Sequence, residues 1–218
     1  VTDQDARKKN ANLYLFFERK SADELKAQLC ANTNNLTTHP RLMMTPDSVT
    51  RLREEIKTDP YKKKWFESLK LKADTYLNQE PAVYKLSSGR LLDLANSTLS
   101  FMETMGFVYQ MTQDKKYGER TVRELEAIAS FTDWAPQISF LETATFSSAF
   151  AIGFDWAYDC MDTDTAKKLA ERAQALGLQN AELAYTASAS FNDFWWNTET
   201  NWGIICNGGI SNLAMATS

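Results

Sequence analysis

The feature that most constrains this chain is an alternation between two kinds of helical segment. From residue 61 onward the apolar positions recur at helical spacing, and six segments read as helices, over 61–78, 91–110, 115–130, 141–160, 164–185 and 202–216. The first, third and fifth carry a charged face, in Lys62-Lys63-Lys64, in Glu119-Arg120 with Arg123-Glu124, and in Lys167-Lys168 with Glu171-Arg172. The other three are almost uncharged. In the 91–110 segment Leu94, Phe101, Met105 and Val108 form one stripe and Ala95, Leu99, Met102 and Tyr109 another, while Ala144 to Phe154 contains no charge at all. A helix with one charged face lies at a surface, and a helix that is apolar all round has to be buried. The charged segments start about fifty residues apart, so the repeating unit is a helical hairpin, present three times. The expected fold is all-α, with outer and inner helices in two layers: an incomplete α/α toroid of about three hairpins, or more simply a helix bundle.

The segment upstream divides into two parts. Residues 1–38 read as a polar lead-in with one short helix over 21–31, which Ser21 can cap and in which Leu25, Leu29 and Cys30 make an apolar stripe. Then comes His39-Pro40-Arg41-Leu42-Met43-Met44-Thr45-Pro46-Asp47, where Thr45 can cap a helix with Pro46 at its first position. That helix runs to Lys57, and Asp59-Pro60 ends it. Residues 39–218 are therefore read as the N-terminal part of a toroid domain, and residue 218 falls where a fourth hairpin is expected, so the chain reads as a piece of a larger protein.

Composition removes several functional classes. With 218 residues, 44% of them hydrophobic, the chain can bury a core without disulfides or structural metal. Its 24 basic and 28 acidic residues give a net charge of -4, which supplies no footprint for nucleic acid. Cys30, Cys160 and Cys206 are far apart and make no CxxC pair, and with one histidine, His39, no metal site or cofactor is expected. No uncharged run is long enough to span a membrane. GxSxG, P-loop and HExxH motifs are all missing, so the esterase, nucleotide and zinc-protease readings have no support.

Aromatic and amide residues concentrate before the last helix, in FNDFWWNTETNWGIICN over 191–207. Trp195, Trp196 and Trp202 offer flat faces for stacking on sugar rings, and Asn192, Asn197, Asn201 and Asn207 offer amides for hydroxyls and carboxylates. The alternative is structural: indoles wedged between helices, and Asn201 as N-cap of the last helix. A second concentration, Phe131-Thr132-Asp133-Trp134-Ala135-Pro136 leading to Glu142, feeds the fourth helix in the same way. If the inner helices run parallel, Trp134 and Glu142 lie beside the Asn201 region. Asp155, at the far end of the fourth helix, reads as a packing or capping acid. Asp133, Glu142, Asp193 and Glu199 are available to a glycoside hydrolase, but no motif pairs them.

Three stretches, HPRLMMTPDSVTRLREEI, LETATFSSAFAIGFDWAYD and NWGIICNGGISNLAMA, together resemble the first half of the α/α toroid of heparinase II/III-like polysaccharide lyases. They span most of 39–216 in that family's order. The resemblance implies β-elimination on uronic-acid polysaccharides such as glycosaminoglycan or alginate. On this reading Asn201 matches the amide that helps neutralise the uronate carboxylate, and Trp134, Glu142, Trp195, Trp196, Trp202 and Asn207 are cleft candidates. Many relatives place His after that Asn, where this chain has Trp202. The family's catalytic Tyr and further His would come from later toroid helices and a β-sandwich domain, so this chain alone is expected to be inactive. The acidic polysaccharide is the expected partner, and the periplasm or cell exterior the expected location, with any signal peptide removed. An α/α-toroid glycoside hydrolase and a non-catalytic carbohydrate-binding module are the alternatives.

Overall fold

In the computed structural model, which describes residues 24, 27, 38–186, 188–191 and 193–218, the first helix starts at the expected cap. The Thr45 hydroxyl accepts from the Ser48 amide at 3.3 Å while the Ser48 hydroxyl accepts from the Thr45 amide at 2.8 Å, which satisfies free donors at the start of α1 (Pro46–Thr58). Asp59 ends that helix and caps α2 (Pro60–Tyr76), its carboxylate accepting from Tyr61 N at 2.8 Å and Lys62 N at 3.1 Å. α3 (Leu92–Thr112) closes on Gln113 in the left-handed region, and Asp114 caps α4 (Lys115–Ala129). After α5 (Leu141–Trp156), a continuous helical run comprises α6 (Thr163–Ala173), a π turn (Gln174–Leu178) and α7 (Gln179–Tyr185). The last helix is α8 (Asn201–Thr217). The fold is all-α, with no strand among the described residues.

α5 is the centre of the packing: every residue in it but Ser148 is buried, as its chargeless sequence requires. Its most extensive partners are α3 on one side and α8 on the other. On the α3 side Gly153 approaches Met102 and Trp156 approaches Gly106; on the α8 side Ala144 meets Gly209 while Ser139, just before α5, meets Trp202. Positions therefore advance together along all three helices, which run parallel. α2 and α4 pack against α3, α4 also contacts α5 and α6, and α1 packs on α2 and α3. The core between them contains Met102, Met105, Leu125, Ile128, Phe146 and Phe150, each contributing about 1.5–3 kcal/mol by its removal from water.

The charged faces of α2, α4 and α6 lie outward, with Lys63, Lys64, Lys115, Glu119, Arg123, Lys167 and Lys168 exposed. One pair departs from that pattern. Arg120 and Glu124, counted with the solvent face from sequence, are buried and joined at 2.8 Å, because each neutralises the other one turn apart. The segment expected over 141–160 leaves α-helix at Trp156, whose carbonyl accepts from the Gln110 side chain at 2.6 Å, and Tyr158–Cys160 form a 3₁₀ turn. The 164–185 segment contains the π turn, where Gly177 lies close against Leu213, Ser147 and Trp134. Thr200, not Asn201, occupies the N-cap of α8. The lead-in and its helix over 21–31 lie outside the described residues, apart from Glu24, Ala27 and Thr38. Thr38–Ser218 form one compact unit.

Candidate functional site

Parallel inner helices bring the starts of α3, α5 and α8 to one end of the unit. Residues 87–90 form a tight turn in which Gly89, at φ 78°, takes a backbone conformation that side chains disfavour, and this turn delivers Arg90 ahead of α3. Arg90 donates through Nε to Glu142 Oε1 at 2.7 Å and through Nη2 to Ser139 Oγ at 2.8 Å. Ser139 Oγ donates on to Glu142 Oε2 at 2.8 Å, and the Ser139 carbonyl accepts from Trp202 Nε1 at 3.1 Å. One chain of hydrogen bonds thus ties the starts of the three inner helices together. The Glu142 side chain is fully buried and that of Arg90 is 40% exposed. An acid in the first turn of α5 is also favoured by the positive end of the helix dipole.

Trp134 and Trp195, cleft candidates from sequence, have no accessible surface and present no ring face to a ligand in this conformation. Trp134 donates to the Ile128 carbonyl at 3.0 Å and lies against Phe146 and Phe150; its own carbonyl accepts from Thr143 at 2.8 Å, which folds the 131–139 loop onto α5. Trp195 stacks on Phe140 at 4.1 Å and meets Tyr185 edge-on. Both are wedges that fill gaps between helices. Glu142 is likewise interior, with both carboxylate oxygens committed.

The remaining candidates surround the start of α8. Asn201 is exposed in the first turn, Trp196 is 41% exposed, and half-buried Trp202 lies 5.9 Å from exposed Phe194. Asn207 is a positioning residue: its Oδ1 accepts from Tyr185 at 2.8 Å, and its Nδ2 donates to Gly203 O at 2.8 Å and Trp196 O at 3.3 Å, which holds the Trp196 turn to α8. Asn192 lies outside the described residues. Sequence reasoning missed Arg90, for which the only signal is the Ser-Ser-Gly-Arg turn before an apolar helix. The start of α8 thus gathers an exposed amide and part-exposed aromatic rings at the end where the Arg90–Glu142 pair lies.

Asp155 sits at the opposite end of α5, as a packing acid. Fully buried, it accepts from Arg41 N at 2.9 Å, Leu42 N at 2.8 Å and His39 Nδ1 at 2.6 Å, while His39 stacks on Tyr158. Neither described thiol is activated. Burial pushes Cys206 up to about 12, with Glu142 adding to the effect, and burial also raises Cys160. Among the described residues no three His, Cys, Asp or Glu side chains cluster as a metal site, and no helix is long and apolar enough to cross a membrane.

Fold and site together define an all-α protein built from packed helical hairpins. No protein-family model matches the chain, and no curated protein sequence matches it.

Proposed function

We propose that this chain is the N-terminal toroid portion of a polysaccharide lyase that cleaves uronic-acid-containing polymers by β-elimination. The observation that carries the reading is the exposure of Asn201 in the first turn of α8, beside Trp202, which shares Ser139 with Arg90. In such a reaction the Asn201 amide and the first-turn amides would hydrogen-bond the uronate carboxylate and stabilise the enolate that forms when the C5 proton leaves. Arg90, its charge answered by Glu142, would hold the helix starts in place, and Trp196 and Phe194 would flank the sugar rings. The base that takes the C5 proton and the acid that protonates the departing glycosidic oxygen would come from later toroid helices and a β-sandwich domain. Closure of the hairpins into a toroid, and a periplasmic or extracellular location, belong to the same proposal.

The glycoside-hydrolase alternative loses its best acid, because Glu142 is buried with both oxygens occupied. A binding module remains the second reading, favoured by the exposed Trp196 and Phe194. The test is ultraviolet absorbance of unsaturated uronide, measured with alginate and glycosaminoglycans for a longer protein that carries this chain. Asn201→Ala is expected to lower turnover by about 10²-fold or more, and Trp196→Ala to raise KM about tenfold with less effect on turnover. Sugar release without unsaturation overturns the lyase reading, and retained binding without any turnover favours the module.

A further inference from the structure

The outward side of α2 carries apolar side chains as well as charge. At 3.6 residues per turn, Tyr61, Lys64, Trp65, Ser68, Leu71 and Lys72 fall within an arc of about 120°, and all six are exposed. Six large hydrophobic side chains of the described residues are more than two-thirds exposed, and three of them are here: Tyr61 at 73%, Trp65 at 69% and Leu71 at 68%. Single apolar residues on a surface are ordinary, whereas a group along about three turns of one helix marks a place of contact. Tyr61 and Trp65, four residues apart, are direct neighbours on the helix surface.

Charge narrows what fits there. In a chain of net charge -4, α2 holds five lysines against Glu67 and Asp74. Lys62 is paired with Glu55 and Lys70 with Asp74, and Lys72 donates to Ser100 at 2.9 Å with Glu103 nearby. Lys63 and Lys64 are exposed and make no ion pair among the described residues. Glu67 flanks the arc, but no acidic residue of α2 falls within it, so the face complements a negative partner. An acidic sugar chain would need amides for its hydroxyls, and the arc has none, in contrast to 191–207. Leu71 also offers a sugar neither a ring face nor a polar atom. An anionic bilayer surface uses every part: Trp65 and Tyr61 at headgroup level, Leu71 in the acyl boundary, and lysine stems that carry their ammonium groups to lipid phosphates.

We propose that the outer face of α2 docks the protein on an anionic lipid surface. α2 packs on α3, and α8 lies on the other side of α5, so docking through α2 leaves the start of α8 open. The proposal does not depend on the lyase reading, and its test measures no turnover. The 218-residue chain would be sedimented with vesicles of phosphatidylcholine alone and of equal parts phosphatidylcholine and phosphatidylglycerol. Binding to the anionic vesicles and little to the neutral ones is expected, weakened by added salt. The double variant Lys63→Glu, Lys64→Glu should lower partitioning about thirtyfold or more, and Trp65→Ala about fivefold. Both should leave the melting temperature unchanged, because the side chains they replace are exposed. Absence of binding to the anionic vesicles, equal binding to both kinds, or partitioning that neither variant lowers overturns the proposal. So does retention on an alginate matrix that Trp65→Ala abolishes, without vesicle binding, which would assign the face to an acidic sugar chain.

Discussion

A carboxylate buried at the start of a helix is stable only if its charge is answered, and Glu142 is answered by Arg90, Ser139 and the first turn of α5. Glu142→Gln keeps the shape but leaves Arg90 without its counter-ion. Arg90 can turn partly to water, so the expected loss is about 1–2 kcal/mol, below the value for a fully buried pair, as read by urea unfolding. Cys206 supports a prediction of the opposite kind. Its thiol keeps its proton in the folded chain, so peptide mapping after iodoacetamide at about pH 8 should find it unmodified until urea unfolds the protein. An acid whose folded pKa is raised stabilises the fold at low pH. The contribution of Cys206 is therefore intact below about 8.5, the unfolded thiol value, and declines as pH rises from there toward about 12. At this scale the sequence was only partly legible: Thr45, Asp59 and Asp155 act in the structural parts their positions suggest. Trp134 and Trp195 do not line a surface, because composition cannot distinguish an indole wedged under a loop from one displayed on it.

Among the elements, α8 offers the sharpest contrast. A Cβ at Gly209 would overlap the Ala144 carbonyl, whereas a Cβ at Gly208 would meet nothing within 4 Å. Gly208→Ala should therefore stabilise the chain by about 0.5–1 kcal/mol through helix propensity. Gly209→Ala, one residue away, should destabilise it by about 1–3 kcal/mol by forcing α8 off α5, and denaturant titration of the two variants separates the effects. Element type and order were readable from hydrophobic period and charged faces, since those patterns follow from which side meets water. The π turn at Gln174–Leu178 and the end of α5 at Trp156 were not. Both depend on partners distant in sequence, the close approach of Gly177 to Leu213 in one case and the Gln110 side chain in the other.

For the whole molecule, burial of α5 on every side makes it the last element to open. Hydrogen exchange should show its central amides slowest, at the rate of global unfolding, and those of α1 faster. Phe150→Ala should cost about 3–5 kcal/mol and lower the stability of α3, α5 and α8 together rather than of one helix. The outward charged faces of α2, α4 and α6 and the burial of α5 were legible in the alternation of charged and uncharged segments, but α8, also uncharged and expected to be buried, leaves Ile204, Ile205 and Met215 exposed. The shared direction of α3, α5 and α8 had to be seen: it is what gathers Arg90, Glu142 and Trp202 at one end. At the other end, Arg41 is held by Asp155 through its backbone and donates through its side chain to the Ala216 carbonyl, so one short segment clasps the tails of α5 and α8. The inner helices are thus clamped at both ends, by the Arg90–Ser139–Glu142–Trp202 chain at one pole and by Arg41 and Asp155 at the other. Exposed residues such as Asn201 and Trp196 can therefore be exchanged over evolutionary time while the frame that carries them stays in register.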